Sequence, residues 1–220
     1  LDSNGFWHYS KILAIESLLP PRPGDNILDV GCGSGVISGF LGSKGATVVG
    51  IDTNPDAISF AEKKYAGPTV SFKLELADRI SGMDGSIDKI YCLELIEHIY
   101  LPQSKAMLDC FYRLLKPGGS AFLTTPNYHS LWPLIEWLMD RLHFAPQMAD
   151  HQHVEKFNRR KLRELSLSCN FSVQTLRAMC FVAPWIAPIS WRLAKKTSKI
   201  EFAAPQNPGS ILTCVLIKRG

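Results

Sequence analysis

The stretch Asn26-Ile27-Leu28-Asp29-Val30-Gly31-Cys32-Gly33-Ser34-Gly35-Val36-Ile37-Ser38-Gly39-Phe40-Leu41 decides how the chain is read. A short apolar run leads into three glycines at alternate positions, after which Val36, Ile37, Phe40 and Leu41 return at helical spacing. The pattern predicts a strand, a glycine turn and a helix. Downstream, Ala46 to Ile51 is a second β-rich run that ends at Asp52. Asn54-Pro55-Asp56 then supplies an N-cap, a proline at the first helical position and an acid in the first turn, predicting a helix over 55–65. A βαβ unit is complete by residue 52.

Upstream, Ile12, Leu13, Ile15, Leu18 and Leu19 predict a helix over 8–19, stopped by Pro20-Pro21-Arg22-Pro23-Gly24. Further on, the rhythm predicts strands at 70–74, 89–93 and 120–125, with a helix at 103–115 closed by Lys116-Pro117-Gly118-Gly119. Strands alternating with helices of this length argue for an α/β, doubly wound parallel sheet with helices on both faces. Residues 128–157 break the pattern with Trp132, Trp137, Phe144 and four histidines, His129, His143, His151 and His153, and are read as a lid insertion. Asn158 caps a basic helix to about Ser168, and β-rich runs at 171–179 and 211–218 flank an apolar, then basic, excursion at 180–200. The expectation is a single domain, 1–220. It divides into an N-terminal helical cover (1–24), a ligand-binding core (25–127), the lid (128–157) and a C-terminal completion of the sheet (158–220).

With 220 residues, 46% apolar and 20% charged, the chain has ordinary globular composition, which excludes disorder, collagen and coiled coil. Met179 to Trp191 is too short to span a bilayer and is interrupted by Pro184 and Pro188. Six scattered cysteines without a CxxC pair suit buried thiols in a reducing compartment, and no basic-then-apolar leader is seen at the start, so a cytoplasmic location is expected. Charge is uneven: residues 151–220 carry +9 and residues 1–150 carry −5. Phe181 to Trp191 followed by Arg192, Lys195, Lys196 and Lys199 has the composition of an interfacial anchor, which would place 181–199 on a membrane surface. A cover over the substrate cleft, a homodimer contact or a solvated face are the alternatives.

The glycine turn lets a ligand approach the backbone at a helix N-terminus. A nicotinamide fingerprint would need a third glycine at position 36, where Val36 stands, so a dehydrogenase reading is weak. Asp52, at the end of the second strand, is placed to accept hydrogen bonds from a ribose diol.

Taken together, Leu28-Asp29-Val30-Gly31-Cys32-Gly33-Ser34-Gly35, Gly50-Ile51-Asp52, Glu94-Leu95-Ile96-Glu97-His98 and Leu115-Lys116-Pro117-Gly118-Gly119 resemble a class I S-adenosylmethionine-dependent methyltransferase. Within that family they are similar to the ubiquinone-biosynthesis O-methyltransferase type. The resemblance implies a Rossmann-like, mostly parallel seven-stranded sheet with an antiparallel last strand. It also implies S-adenosylmethionine as cofactor, S-adenosylhomocysteine as product, and a small, hydrophobic or lipid-linked acceptor methylated at oxygen. Asp29 with the glycine-turn residues Gly31, Cys32, Gly33 and Gly35 would hold the amino-acid end of the cofactor, Asp52 the ribose, and Thr53, Ala77 and Asp78 the adenine side. Leu93 and Glu94 would complete the pocket. Leu76 departs from the acidic residue the family commonly places there, with Glu75 or Asp78 as substitutes.

The ExxEH pattern of Glu94, Glu97 and His98 is associated in that type with a divalent metal such as Mg²⁺, Mn²⁺ or Zn²⁺, provided the three share one helix face. Capping of the following helix is the alternative. For a hydroxyl acceptor a base helps, and His98, then His153, are the candidate catalytic residues, with His129 and His151 behind them. Phe6-Trp7-His8-Tyr9 would fold over the cofactor or pack on the sheet. A partner subunit that binds cofactor without catalysis remains the non-enzymatic reading. No nucleic-acid partner is expected, because Leu93-Glu94-Leu95-Ile96 stands where a nucleic-acid methyltransferase would carry Asn/Asp-Pro-Pro-Tyr/Phe.

Overall fold

The computed structural model describes residues 3–141, 153–204 and 207–219. Helix α1 (Ser3–Leu18) leads into β1 (Asn26–Val30), α2 (Val36–Ser43), β2 (Thr47–Asp52), α3 (Pro55–Tyr65), β3 (Val70–Leu74) and β4 (Ile87–Leu93). A single 3₁₀ turn at Ile96–His98 precedes α4 (Leu101–Leu114) and β5 (Leu115–Pro126). Then come α5 (Trp132–Arg141), α6 (Arg159–Ser168), β6 (Phe171–Met179), α7 (Ala183–Ile186), α8 (Trp191–Ala203) and β7 (Ile211–Lys218).

The seven strands among the described residues form one sheet in the order β3-β2-β1-β4-β5-β7-β6. The pairs from β3 through β5 are parallel, and β7 runs antiparallel to both β5 and β6. This is the expected mostly parallel sheet with a reversed last strand. The strand order turns back on itself between β1 and β4, and in such sheets ligands bind in the crevice at the carboxyl ends of the strands flanking that point.

Alternation along the strands divides the core. On one face Leu28, Val30, Ile90 and Cys92 pack against Met107, Leu108 and Phe111 of α4 and Leu162 and Leu165 of α6. On the other, Ile27, Tyr91 and Phe122 meet Ala14 and Ile15 of α1, Ile37 and Leu41 of α2 and Ile58 of α3. Asp29 shares the Ile27 face, which brings it under α2, where the Ser38 hydroxyl donates to its Oδ2 at 2.6 Å. The caps follow the sequence reading: Asn54 accepts from the N–H groups of Asp56 and Ala57, and Asn158 from that of Lys161.

Two segments differ from expectation. Helix α1 begins at Ser3, so the Phe6–Tyr9 aromatics lie within it. Phe6 is buried with its ring edge-on to Trp191 at 5.9 Å, and Trp7 stands edge-on to Trp132 at 6.5 Å. The excursion after β6 is helical: α7 and α8 bury Ala183, Ala187 and Ala194 against Phe6, and Ser190 caps α8 by accepting from the Leu193 N–H. All six cysteines are buried and unbridged, and burial pushes the Cys180 and Cys214 thiols up to about 12, which makes them packing residues. No helix among the described residues is long and apolar enough to cross a membrane. His143, Phe144 and His151 lie outside the described residues.

Candidate active site

The glycine turn crosses the end of β1 with Gly31, Gly33 and Gly35 all at positive φ, 71°, 50° and 78°. Their surroundings differ. A Cβ on Gly33 would meet nothing within 4 Å, so its backbone faces open space, whereas one on Gly35 would lie 2.8 Å from Ala61 Cβ and 2.9 Å from the Phe72 ring. Gly35 therefore lets α2 close onto α3 and β3, a packing role beside the cofactor contact expected of it. The N–H groups of Gly31 and Cys32 both donate to Ile51 O at 2.9 Å, and the Cys32 side chain enters the core beside Ile37. Of the expected turn contacts, Gly31 lines the cleft, Gly33 borders open space and Cys32 is tied to β2.

Asp52 ends β2 with its carboxylate held from two sides: Oδ2 accepts the Gly33 N–H at 2.8 Å and Oδ1 the Asn54 N–H at 2.9 Å. Each oxygen keeps a second lone pair for a ligand hydroxyl. A cleft of about 290 Å³ opens beside it, lined by Gly31, Asp52, Thr53, Glu75, Leu76, Ala77 and Asp78, with an apolar wall of Leu95, Ile99 and Met107. Thr53, Ala77 and Asp78, expected on the adenine side, all line this cleft. Leu93 does not line this cleft; it packs against the α1–α2 side of the core. The Leu95, Ile99 and Met107 wall was not singled out from the sequence, because nothing in the linear pattern distinguishes these residues from core.

Asp29 sits beneath the turn, 2% exposed. Burial first, and the neighbouring Asp52 charge second, raise its carboxyl to about 6, against the pull of the Ser38 hydrogen bond. The backbone then breaks at Glu94, whose φ of 54° turns it out of β4. Its N–H donates to Thr124 O and Oγ1, and its Oε2 pairs with Lys11 Nζ of α1 at 2.6 Å. The expected single helix face for Glu94, Glu97 and His98 does not form, because only one 3₁₀ turn follows and Glu94 precedes it.

Glu97, His98 and His153 come together instead, with one ligand atom from each within 4.8 Å of the others. Glu94 is not in that group. The His98 and His153 rings lie 5.0 Å apart, and Tyr128 Oη is 3.1 Å from His153 Nδ1. Glu155 fixes this arrangement: its N–H donates to Glu97 O at 3.0 Å, its Oε1 accepts from the Leu101 N–H, and its other oxygen pairs with Lys161. Glu97 is fully buried and its Oε2 has no hydrogen-bond partner among the described residues; burial, then the Glu94 charge, raises its carboxyl to about 8. His129 stands apart, 3.3 Å from Asn158 Nδ2. Lys11 and Tyr128 were missed by sequence reading; they reach the site only through tertiary packing.

Residues 6–176 match the methyltransferase domain family. Among curated proteins, the chain is 36% identical over 107 residues to the ubiquinone biosynthesis O-methyltransferases of Pseudomonas paraeruginosa and Pseudomonas entomophila. The match takes in 47% of this chain and spans 45% of each relative's length. Among solved structures, a S-adenosylmethionine-dependent methyltransferase from Archaeoglobus fulgidus superposes with TM-score 0.69 at 18% identity, covering 96% of this chain and 94% of that one. A chain from the Haloferax volcanii complex of the Trm112 methyltransferase activator with a methyltransferase gives 0.71 at 18% identity, covering 99% and 94%. With the family model matched from α1 into β6, and these solved methyltransferases superposing across nearly the whole chain, the chain belongs to the methyltransferase domain family and has its Rossmann-like fold.

Proposed function

We propose that the chain moves a methyl group from S-adenosylmethionine to an oxygen of a small, hydrophobic or lipid-linked acceptor, with His98 and His153 assisting loss of the acceptor proton. The observation that carries this reading is the meeting of Glu97, His98 and His153. His98 lies between Leu95 and Ile99, two residues of the wall of the adenosine-sized cleft. Methyl transfer from a sulfonium is an in-line displacement, so the protein's main tasks are to align donor and acceptor and to exclude water. A hydroxyl acceptor adds one demand, a nearby base, which an imidazole meets near neutral pH. Asp29 would accept hydrogen bonds from the cofactor's ammonium, Asp52 from its ribose, and Ala77 and Asp78 would border the adenine, with Leu76 supplying apolar contact in place of an acid. The partial match to ubiquinone biosynthesis O-methyltransferases supports oxygen as the acceptor atom.

A metal is a second reading, favoured by the same convergence and by the unpartnered Glu97 Oε2. Two imidazoles and one carboxylate suit Zn²⁺ or Mn²⁺ better than Mg²⁺, so Glu97, His98 and His153 would hold the ion and Glu94 would not. Such an ion would lower the pKa of an acceptor hydroxyl. The test is a methyl-transfer screen against phenols with and without aliphatic tails, repeated after chelation. Activity that survives chelator but falls at least about tenfold in both His98→Ala and His153→Ala supports base assistance. Loss on chelation, restored by Zn²⁺ or Mn²⁺, supports the metal. Failure to bind S-adenosylhomocysteine at all would leave the non-catalytic subunit reading, for which Leu76 is the sequence argument.

A further inference from the structure

We propose that the outer faces of α7 and α8 dock on an anionic phospholipid membrane surface. Helix α7 continues as a helical turn to Ser190, whose N–H donates to Ile186 O, so Val182, Trp185 and Ile189 recur at i, i+3 and i+7 on one side. All three are exposed, Trp185 by 53% and Ile189 by 83%. On α8 the inward positions are the small or buried Ala194, Ser198 and Phe202, which leaves Leu193, Lys196 and Ile200 on the opposite side, with Leu193 51% and Ile200 63% exposed. Both helices thus turn Ala183, Ala187 and Ala194 toward Phe6 of α1 and leave Val182, Trp185, Ile189, Leu193 and Ile200 outside. Isolated surface aliphatics are ordinary, but five on two adjoining helices form a patch that calls for an occupant.

The charge pattern selects that occupant. No Asp or Glu occurs between Glu164 and Glu201. The Glu201 carboxylate is spent within the fold, accepting from the N–H groups of Phe181, Val182 and Ala183 at 3.1, 2.7 and 3.0 Å. Lys195 lies over the Tyr9 and Trp191 rings, while Arg192, Lys196 and Lys199 are exposed and form no ion pair among the described residues. Cations interleaved with Trp, Ile and Leu match the boundary of an anionic bilayer, where the aliphatics enter the acyl region and the cations meet headgroup phosphates. A nucleic acid would use the cations and leave Ile189 and Ile200 without a partner.

The experiment is co-sedimentation of the whole chain with phosphatidylcholine vesicles, with and without about one third phosphatidylglycerol. The expected result is binding only to the anionic vesicles, weakened when salt rises from about 0.1 M to about 0.5 M. The Lys196→Glu/Lys199→Glu variant should lower partitioning at least about twentyfold, from about fivefold per cation lost. Ile189→Asp/Ile200→Asp should lower it tenfold or more by removing apolar insertion. All four residues are on the surface, so S-adenosylhomocysteine binding serves as the folding control, and its outcome separates failure of docking from failure of the methyltransferase reading. Equal binding to neutral and anionic vesicles, or variants that bind like the parent, would overturn the proposal. So would self-association abolished by the aspartate variant, which assigns the face to a second copy, or tighter binding to a single-stranded RNA than to vesicles.

Discussion

Lowering the pH from about 7.5 to about 5 is expected to weaken S-adenosylhomocysteine binding roughly tenfold, and Asp29→Asn to abolish that dependence. The Asp29 carboxyl is raised to about 6 by burial and by Asp52. A cofactor ammonium would be held by the ionised carboxylate alone, so binding must first displace a proton wherever Asp29 is protonated. With a pKa of about 6, about nine molecules in ten are protonated at pH 5 and few at pH 7.5, which gives the factor. The same shift acts on the free protein with a definite sign. Folded Asp29 binds a proton more tightly than an unfolded aspartate of 3.8, so this contribution to stability is fully present below about pH 4 and is lost as pH rises to about 6. Its upper size is about 3 kcal/mol. Calorimetric titrations across this pH range, in two buffers of different ionisation heat, read both the affinity and the proton released. A flat affinity profile, or an Asp29→Asn variant that keeps the parent's slope, would refute the assignment of Asp29 to the ammonium.

Asp52→Ala should lower cofactor affinity about a hundredfold or more while leaving circular dichroism unchanged, since it removes a charged acceptor from the ribose position. Gly35→Ala combines a positive φ with a 2.8 Å approach to Ala61 Cβ, and should cost about 2–4 kcal/mol, lowering Tm by roughly 5–15 °C. Gly33→Ala shares the positive φ but faces open space, so it should cost only about 1–2 kcal/mol, and equal losses would refute the packing role of Gly35. Tyr91→Phe removes the donor to Leu19 O, a 2.6 Å bond, and should cost about 1–3 kcal/mol in denaturant unfolding.

What the sequence disclosed were features decided by a few neighbouring residues. Asn54-Pro55-Asp56 starts a helix because its side chain and ring satisfy that turn locally, and alternating glycines make a turn whatever lies above it. What it concealed depended on distant partners. Glu94 read as part of a helix face with Glu97 and His98; its backbone instead swings to positive φ, bonded to Thr124 of the next strand, and Lys11 arrives from α1. Replacing Glu94 in the cluster, His153 stands 55 residues from His98 in sequence and beside it in space because Glu155 binds both Glu97 O and the start of α4. Helix α8 lies in what the sequence marks only as an apolar, then basic, excursion: its inward Ala194 and Ser198 are small, so the bulky apolar stripe by which amphipathic helices are recognised is reduced to Phe202.

The placing of β7 between β5 and β6 bears on how the chain can be made. Residues 171–179 leave the ribosome before residues 211–218, yet among the described residues the strand that pairs with β6 is β7. During synthesis, therefore, β6 and the far edge of β5 both wait with open hydrogen-bonding edges while α7 and α8 emerge. The sheet closes only when a later segment inserts between two earlier ones. Such an interval exposes two strand edges at once, a stage open to chaperone capture or edge-to-edge aggregation.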